Sequence, residues 1–275
     1  HEAYPGRVID VGIAEAEAVA SAAGMAYQGA HPVVALYATF LNRGFDQLLM
    51  DVALHRAGVT FVLDRAGVTG ADGASHNGVW DIAMCSMIPG LRLAAPRDEE
   101  TLRARLREAL DVDDAPTVIR YRKGPLPEPM PALRSVGGVD VLFDEAVDSS
   151  SARVLIVGTG ACAPDAIEAA RRLSEGGVSV TVVDPQWMIP VCPELATLAR
   201  DYDCVVSVED GIIQGGFGWS LRDAVAEAGV PVRCLGVPQG FPEHGDRGEM
   251  IAKFGFDAAG IERAARELVE RVGKR

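Results

Sequence analysis

The sequence predicts an α/β protein built as two parallel or mostly parallel sheet domains with helices on both faces. Three observations carry that expectation. Short β-branched apolar runs alternate with longer Ala-rich, charge-patterned runs along the chain, the pattern of parallel strands joined by crossover helices. A chain of 275 residues is long enough for two domains of ordinary size. Between the two halves, Pro116, Pro125, Pro127, Pro129 and Pro131 crowd into one stretch with Gly124, a density that breaks regular structure and reads as a linker.

Residues 8–13 read as a short buried strand ending in the carboxylate of Glu15, which opens an Ala-rich helix over 15–29 with Gly24 and Gly29 near its end. A strand at 32–37 and a helix from about 43 to 57, stopped by Gly58, follow. The strand 59–63 leads into a Gly-rich loop, 66–78, and then into a short helical segment at 79–88. The strand 91–95 ends at Pro96, Asp98 is placed to cap a helix over 99–110, and a strand at 117–121 closes the unit. The second unit begins near Val154, with strands expected at 178–183, 204–208 and 232–236 and helices at 164–175, 193–200, 216–228 and 259–272, the last charged on one solvated face. The domain division is therefore 1–124, a linker 125–150, and 151–275.

A formal charge of −13 argues against a nucleic-acid or anionic-membrane partner. Phosphorylated substrates would need local cations. The five cysteines form no C-x-x-C pair and lie mostly in apolar runs, as reduced core residues of a cytoplasmic protein do. No stretch approaches the roughly 20 apolar residues of a membrane span. The abrupt opening at His1, without Met, suggests that residues precede it in the natural protein.

The chemistry concentrates in the first unit. Glu15 stands at a strand-to-helix junction, where open α/β sheets bind ligands, and the next strand delivers Phe40 and Arg43 shortly after Tyr37. A carboxylate beside an aromatic platform suits a flat, protonatable heterocycle such as an aminopyrimidine. The same residues also fit an ordinary helix-start carboxylate and a core phenylalanine. Asp72 and His76, four apart in the Gly-rich loop, offer a carboxylate and an imidazole. No third ligand is spaced to make them a metal site. In the second unit Asp165, Asp184, Glu209 and Asp210 read as capping and turn residues. Gly215-Gly216-Phe217-Gly218 resembles a phosphate-binding turn only weakly, and His244 reads as structural.

Five motifs in one order carry a resemblance: Asp10-Val11-Gly12-Ile13-Ala14-Glu15, Thr39-Phe40-Leu41-Asn42-Arg43, Leu63-Asp64-Arg65-Ala66-Gly67, the run Gly70 to Gly78, and Ala95-Pro96-Arg97-Asp98-Glu99. They resemble the pyrimidine-binding domain of the 1-deoxy-D-xylulose-5-phosphate synthase family, within the transketolase superfamily. The likeness runs on through Asp184-Pro185-Gln186-Trp187 and Val208-Glu209-Asp210-Gly211 into a transketolase C-terminal domain. It implies thiamine diphosphate as cofactor, with Glu15 hydrogen-bonded to the pyrimidine nitrogen to promote the imino tautomer. Phe40 would stack on the ring, with Tyr37 and Arg43 flanking it. Asp72 and His76 would face the acceptor and relay protons, while Arg65 and Lys123 would hold the phosphate of glyceraldehyde 3-phosphate. Pyruvate would be the donor.

Three departures qualify this. The family pattern Arg-Tyr-Pro-Arg-Gly is Arg120-Tyr121-Arg122-Lys123-Gly124 here, so Lys123 replaces a bidentate arginine and Arg122 stands beside it as another candidate. The usual Glu-Gln-His is Glu15-Ala16-Glu17. The Gly-Asp-Gly…Asn motif that holds the diphosphate and Mg2+ in this superfamily is absent from the chain, which implies a separate N-terminal diphosphate-binding domain as partner and an inactive chain on its own; the resemblance also implies a homodimer. A pyrimidine-binding subunit of a split transketolase-like or 2-oxoacid dehydrogenase-type enzyme, or a non-catalytic dimerising paralogue, are the alternatives.

Overall fold

The computed structural model describes residues 3–148 and 150–273; the expectation attached to the chain's first residue lies outside them. The first sheet is assembled from α1 (Glu15–Tyr27), β1 (Val33–Tyr37), a 3-10 turn (Ala38–Gly44), α2 (Phe45–Gln47), β2 (Thr60–Asp64), α3 (Asp81–Ser86), β3 (Arg92–Ala94), α4 (Glu99–Leu110) and β4 (Thr117–Arg120). Its four strands are all parallel, in the order β1-β2-β4-β3. Strands β2 and β4 lie inside the sheet and are covered on both faces, which is why their sequences read as continuous apolar runs rather than alternating ones. Helix α4 starts as expected: the Asp98 side chain accepts from the Thr101 N–H at 2.9 Å while Thr101 Oγ1 accepts from the Asp98 N–H at 3.1 Å, a reciprocal cap.

The second sheet holds β5 (Arg134–Val136), β6 (Val139–Glu145), β7 (Arg153–Gly158), β8 (Ser179–Pro185), β9 (Cys204–Ile212) and β10 (Val232–Val237), in the order β10-β9-β7-β8-β6-β5. Strands β10, β9, β7 and β8 are parallel; β6 and β5 are antiparallel additions at one edge. Helices α5 (Ala163–Glu175), α6 (Pro193–Ala199), α7 (Phe217–Ala224), α8 (Arg247–Phe254) and α9 (Ala258–Val272) cover it. In α9 the buried stripe Ile261, Ala264, Ala265 and Leu268 packs toward α5 and leaves the charged stripe outside.

Three expectations need correction. Residues 8–13 form no strand: Val8, Ile9 and Val11 are exposed and Ile13 is 89% exposed, because no edge of the first sheet pairs with them. The helix expected over 43–57 is divided between the 3-10 turn, α2 and a π-helical stretch, Leu48–Ala53. The stretch 125–150, expected as linker, contains the hairpin β5-β6. Its two-residue loop is Gly137-Gly138 with φ of 54° and 85°, the geometry of a type I′ turn, which admits glycine at both positions. Helix α8, capped by the Asp246 carboxylate at the Gly248 N–H, was not anticipated.

Candidate active site

In a parallel sheet the strand ends that share a register also share an edge. Tyr37, the last residue of β1, is level with Asp64, the last of β2, and Leu63 is level with Arg120 of β4. The carboxyl edge of the first sheet therefore gathers Tyr37, Arg65 and the segment leading to Lys123, where open α/β sheets hold ligands.

Glu15 sits at the first helical position of α1 and is 8% exposed. Its carboxylate meets the positive end of that helix. Arg43 Nη1 lies 3.5 Å from Glu15 Oε2, and the arginine remains half-exposed. The 3-10 turn that carries Arg43 comes close to α1 because Gly44 has no side chain; a Cβ there would stand 2.8 Å from Val19 Cγ2. That turn also carries Phe40. Its ring stacks on Tyr37 at 5.8 Å with 13° between planes, lies under the Arg43 guanidinium at 4.8 Å, and meets the His76 ring edge-on at 5.5 Å. Arg65 covers the Tyr37 ring from 3.8 Å.

Arg65 adopts a left-handed backbone, φ 57°, unusual for a residue with a side chain. The Asp64 carboxylate holds it there, accepting from both the Arg65 N–H and the guanidinium at 2.6 Å. The Gly-rich loop beyond is organised by Asn77, which is fully buried. Its carbonyl accepts from the Thr69 N–H at 2.8 Å and its amide donates to the Gly73 carbonyl at 2.9 Å. Thr39 Oγ1 donates to the Ser75 carbonyl at 3.0 Å and so ties the loop to the turn that holds Phe40. Ser75 Oγ is 2.8 Å from His76 Nδ1. Lys123 Nζ donates to both Asp72 oxygens, at 2.7 and 2.9 Å, and this hydrogen bond holds the Asp72 carboxyl below its ordinary pKa, with Arg65 and His76 adding to the pull.

All eight candidate residues thus fall in one neighbourhood. Contacts run from Glu15 through Arg43 to Phe40 and branch there, to His76 on one side and through Tyr37 to Arg65 on the other, with the Asp72–Lys123 pair beside them. Among the departures, Ala16 is half-buried and Glu17 is exposed, accepting from Ser21 Oγ at 2.8 Å. A cavity of about 470 Å3 opens beyond Arg65 and Lys123, lined also by Arg122, Pro96, Leu102 and Leu126. No group of three or more His, Cys, Asp or Glu residues able to hold a metal occurs among the described residues, and no helix there is long and apolar enough to cross a membrane.

Residues of the second domain complete the surroundings. The Asp210 carboxylate accepts from the Val68 N–H at 2.9 Å, and Arg120 donates to the Asp81 carboxylate at 2.7 Å and to the Asp210 carbonyl at 2.9 Å. Sequence reasoning gave Asp210 only a capping role and did not single out Asn77, Asp81 or Arg247. The Gly215–Gly218 turn is filled from within: Glu209 accepts from the Phe217 and Gly218 N–H groups at 2.8 and 2.9 Å, taking the place an external anion would need. Asp184 accepts from Arg97 and the Gly160 N–H, and Asp165 accepts from the Ala258 N–H. His244 is exposed.

A parallel α/β sheet with its candidate residues gathered at the carboxyl edge, followed by a second α/β sheet, is the architecture of the transketolases. Residues 1–129 match the transketolase pyrimidine-binding domain and residues 145–261 the transketolase C-terminal domain. The chain belongs to the transketolase family. Within that family it sits with the 1-deoxy-D-xylulose-5-phosphate synthases. It is 54% identical over 272 residues to 1-deoxy-D-xylulose-5-phosphate synthase 2 of Kitasatospora griseola, covering 98% of this chain and 43% of that protein. To the synthase 2 of Streptomyces avermitilis it is 53% identical over 274 residues, covering 99% and 42%. The chain therefore spans about two fifths of the length of these curated relatives. A solved chain described as a split-gene transketolase, inactive beta4 tetramer, matches with a TM-score of 0.84 and 29% identity, over 98% of this chain and 86% of that one.

Proposed function

We propose that this chain supplies the pyrimidine-binding half of a thiamine-diphosphate-dependent active site. The whole enzyme would condense pyruvate, with loss of carbon dioxide, and glyceraldehyde 3-phosphate to 1-deoxy-D-xylulose 5-phosphate. The observation that carries this reading is Glu15: a nearly buried carboxylate at a helix start, linked through Arg43 to the face of Phe40. The donor set fits the cofactor's ring, since a carboxylate can exchange a proton with a ring nitrogen while an aromatic face lies along the heterocycle.

When bound, thiamine diphosphate supplies the nucleophilic carbon that takes up the two-carbon unit of pyruvate. The residues of this chain bind, orient and move protons around it. Glu15 holds or donates the proton at the pyrimidine nitrogen. Phe40 fixes the plane of the ring, and Tyr37 and Arg43 close its sides. Asp72 and His76 face the hydroxyls of the acceptor, with Ser75 steering the His76 ring through Nδ1. Arg65 and Lys123 neutralise its phosphate, a local cationic patch on a chain whose total charge is −13.

The diphosphate and Mg2+ would be held by a separate diphosphate-binding domain, and the whole would work as a cytoplasmic homodimer. We also propose a division into a pyrimidine-binding unit through residue 124 and a C-terminal unit whose sheet takes in the hairpin 134–145. The greater identity to the synthases than to the split-gene transketolase favours a portion of a synthase over a split subunit.

The test is Glu15→Gln in the holoenzyme with its diphosphate-binding part. A loss of at least about a hundredfold in kcat, with cofactor still bound, is expected from loss of acid–base function; a kcat within a few fold of wild type rejects the role. Isothermal titration of this chain alone should show thiamine-diphosphate binding weaker than micromolar.

A further inference from the structure

We infer that Arg247 and Asp210 of the second domain are positioning residues for the acceptor: together they grip the backbone of Val68 and so set the loop that presents Arg65, Asp72 and His76. The inference rests on the functional reading above and adds to it a specificity role for the C-terminal domain.

Both polar groups of Val68 are taken by that domain. Its N–H donates to Asp210 Oδ1 at 2.9 Å, and its carbonyl accepts from Arg247 Nη1. Val68 lies three residues after Arg65 and four before Asp72, so the grip falls between the two cation and carboxylate positions assigned to the acceptor. Arg247 Nη2 is 2.7 Å from Asp210 Oδ2, an ion pair that ties the two anchoring side chains to each other. Asp210 is nearly fully buried, and Arg120 of the first sheet donates to its carbonyl. The anchor is therefore itself anchored.

Two glycines make this approach possible. A Cβ on Gly67 would stand 2.0 Å from Asp210 Oδ2, and one on Gly70 would stand 2.7 Å from the Gly245 carbonyl oxygen. Both have positive φ, 80° and 71°. The Gly245 N–H also reaches the Gly70 carbonyl, at 3.4 Å. Five residues of loop, 66–70, are thus shaped on one side by the first sheet and on the other by the second domain. Burial opposes the charge of Arg247, but the Asp210 carboxylate more than offsets it and raises the guanidinium pKa.

The test is Arg247→Met in the holoenzyme, which keeps the side-chain stem, with Arg247→Lys as the conservative variant. The Met variant should raise the KM for glyceraldehyde 3-phosphate at least about tenfold, the scale of one charge-assisted contact. The KM for pyruvate and the Kd for thiamine diphosphate should stay within threefold. Arg247→Lys should recover most of the loss. An unchanged acceptor KM, or donor and acceptor constants that rise together, overturns the inference. A second measurement needs no turnover: in this chain, Arg247→Met should speed hydrogen exchange at the Val68 and Gly70 amides at least tenfold while Phe61 and Val118 keep their protection. Equal exchange in both proteins overturns the anchoring. Should the Met variant not fold, the Lys variant carries both readouts, with about a threefold effect expected and none overturning it. A wild-type holoenzyme that does not saturate with glyceraldehyde 3-phosphate defeats the functional reading, and the exchange measurement still decides whether Arg247 holds the loop.

Discussion

Lys123 reaches across 51 residues of sequence to donate to both carboxylate oxygens of Asp72. The pair is partly exposed, so its own contribution to stability is small. Its consequence is for the site: the ammonium is held at the loop and the carboxylate is held ionised. On the proposed reading, an incoming phosphate meets a cation already placed by its partner. Lys123→Met in the holoenzyme should raise the acceptor KM about tenfold, equivalent to ~1.4 kcal/mol, with the pyruvate KM unchanged. Lys123→Arg, which restores a forked donor, should match or improve on wild type. An acceptor KM insensitive to both changes would transfer the phosphate role to Arg122.

Phe40 touches Tyr37, Arg43 and His76 at once, so removing its ring has two effects. It releases three neighbours and, on the proposed reading, takes away the platform for the pyrimidine. An aromatic contact is worth about 0.5–1.5 kcal/mol and a cation–π contact about 0.5–1 kcal/mol. Phe40→Ala should weaken thiamine-diphosphate binding by the holoenzyme about tenfold or more, read from quenching of protein fluorescence on titration. Phe40→Tyr should lose little. Equal affinities for the Ala variant and wild type would show that the ring does not border the cofactor.

Strands β2 and β4 were legible because burial on both faces leaves an unbroken apolar run, a signal that survives without knowing the partner strand. Residues 8–13 carry the same local signal and form no strand. Apolarity reports what a segment prefers to touch, and pairing needs an edge to pair with. The hairpin β5-β6 was hidden because the prolines before it dominate the reading, although Val136-Gly137-Gly138-Val139 holds its turn signal. At the site, motif order names Glu15, Phe40 and His76 as candidates; Phe40 and His76 follow β1 and β2, whose register sets Tyr37 level with Asp64, and Glu15 joins them where Gly44 lets the 3-10 turn approach α1. Asp210 and Arg247 act across 142 and 179 residues of sequence on the same Val68 backbone, and no periodicity or spacing encodes such a contact.

The ion pair of Arg120 and Asp81 is buried on both sides, 5% and 0% exposed in the side chains. Burial alone would lower the Arg120 pKa, but Asp81 and Asp210 raise it, so the guanidinium stays charged. Removing one partner leaves the other charge buried and unpaired. Arg120→Met should therefore destabilise the chain by about 3–5 kcal/mol in urea unfolding, and the double variant Arg120→Met, Asp81→Leu should lose clearly less than the two single losses added together. Simple additivity would mean that the two groups are held by other partners.

Two buried carboxylates of the second domain give stability a pH dependence of definite sign. Burial pushes Glu209 up to about 7 against the pull of the Gly218 and Phe217 N–H groups, and burial pushes Asp184 up to about 7 against Arg97. In the unfolded chain both titrate near pH ~4. Between about 4 and 7 the folded state holds protons that the unfolded state has released. The stability these groups contribute is therefore complete below about pH 4 and lost as pH rises through about 7, at up to ~1.4 kcal/mol per pH unit for each group. Asp72, Asp98 and Asp140, whose pKa values are lowered, act in the opposite sense but below that window. The thermal midpoint should accordingly fall between pH 5 and 7.5. Glu209→Gln keeps one carbonyl for the two N–H groups of α7, so it should melt lower than wild type at pH 5 and approach it as pH rises, with a visibly flatter profile. Parallel profiles for the two proteins would mean that Glu209 is ionised throughout, stabilised by the start of α7 more strongly than burial opposes it.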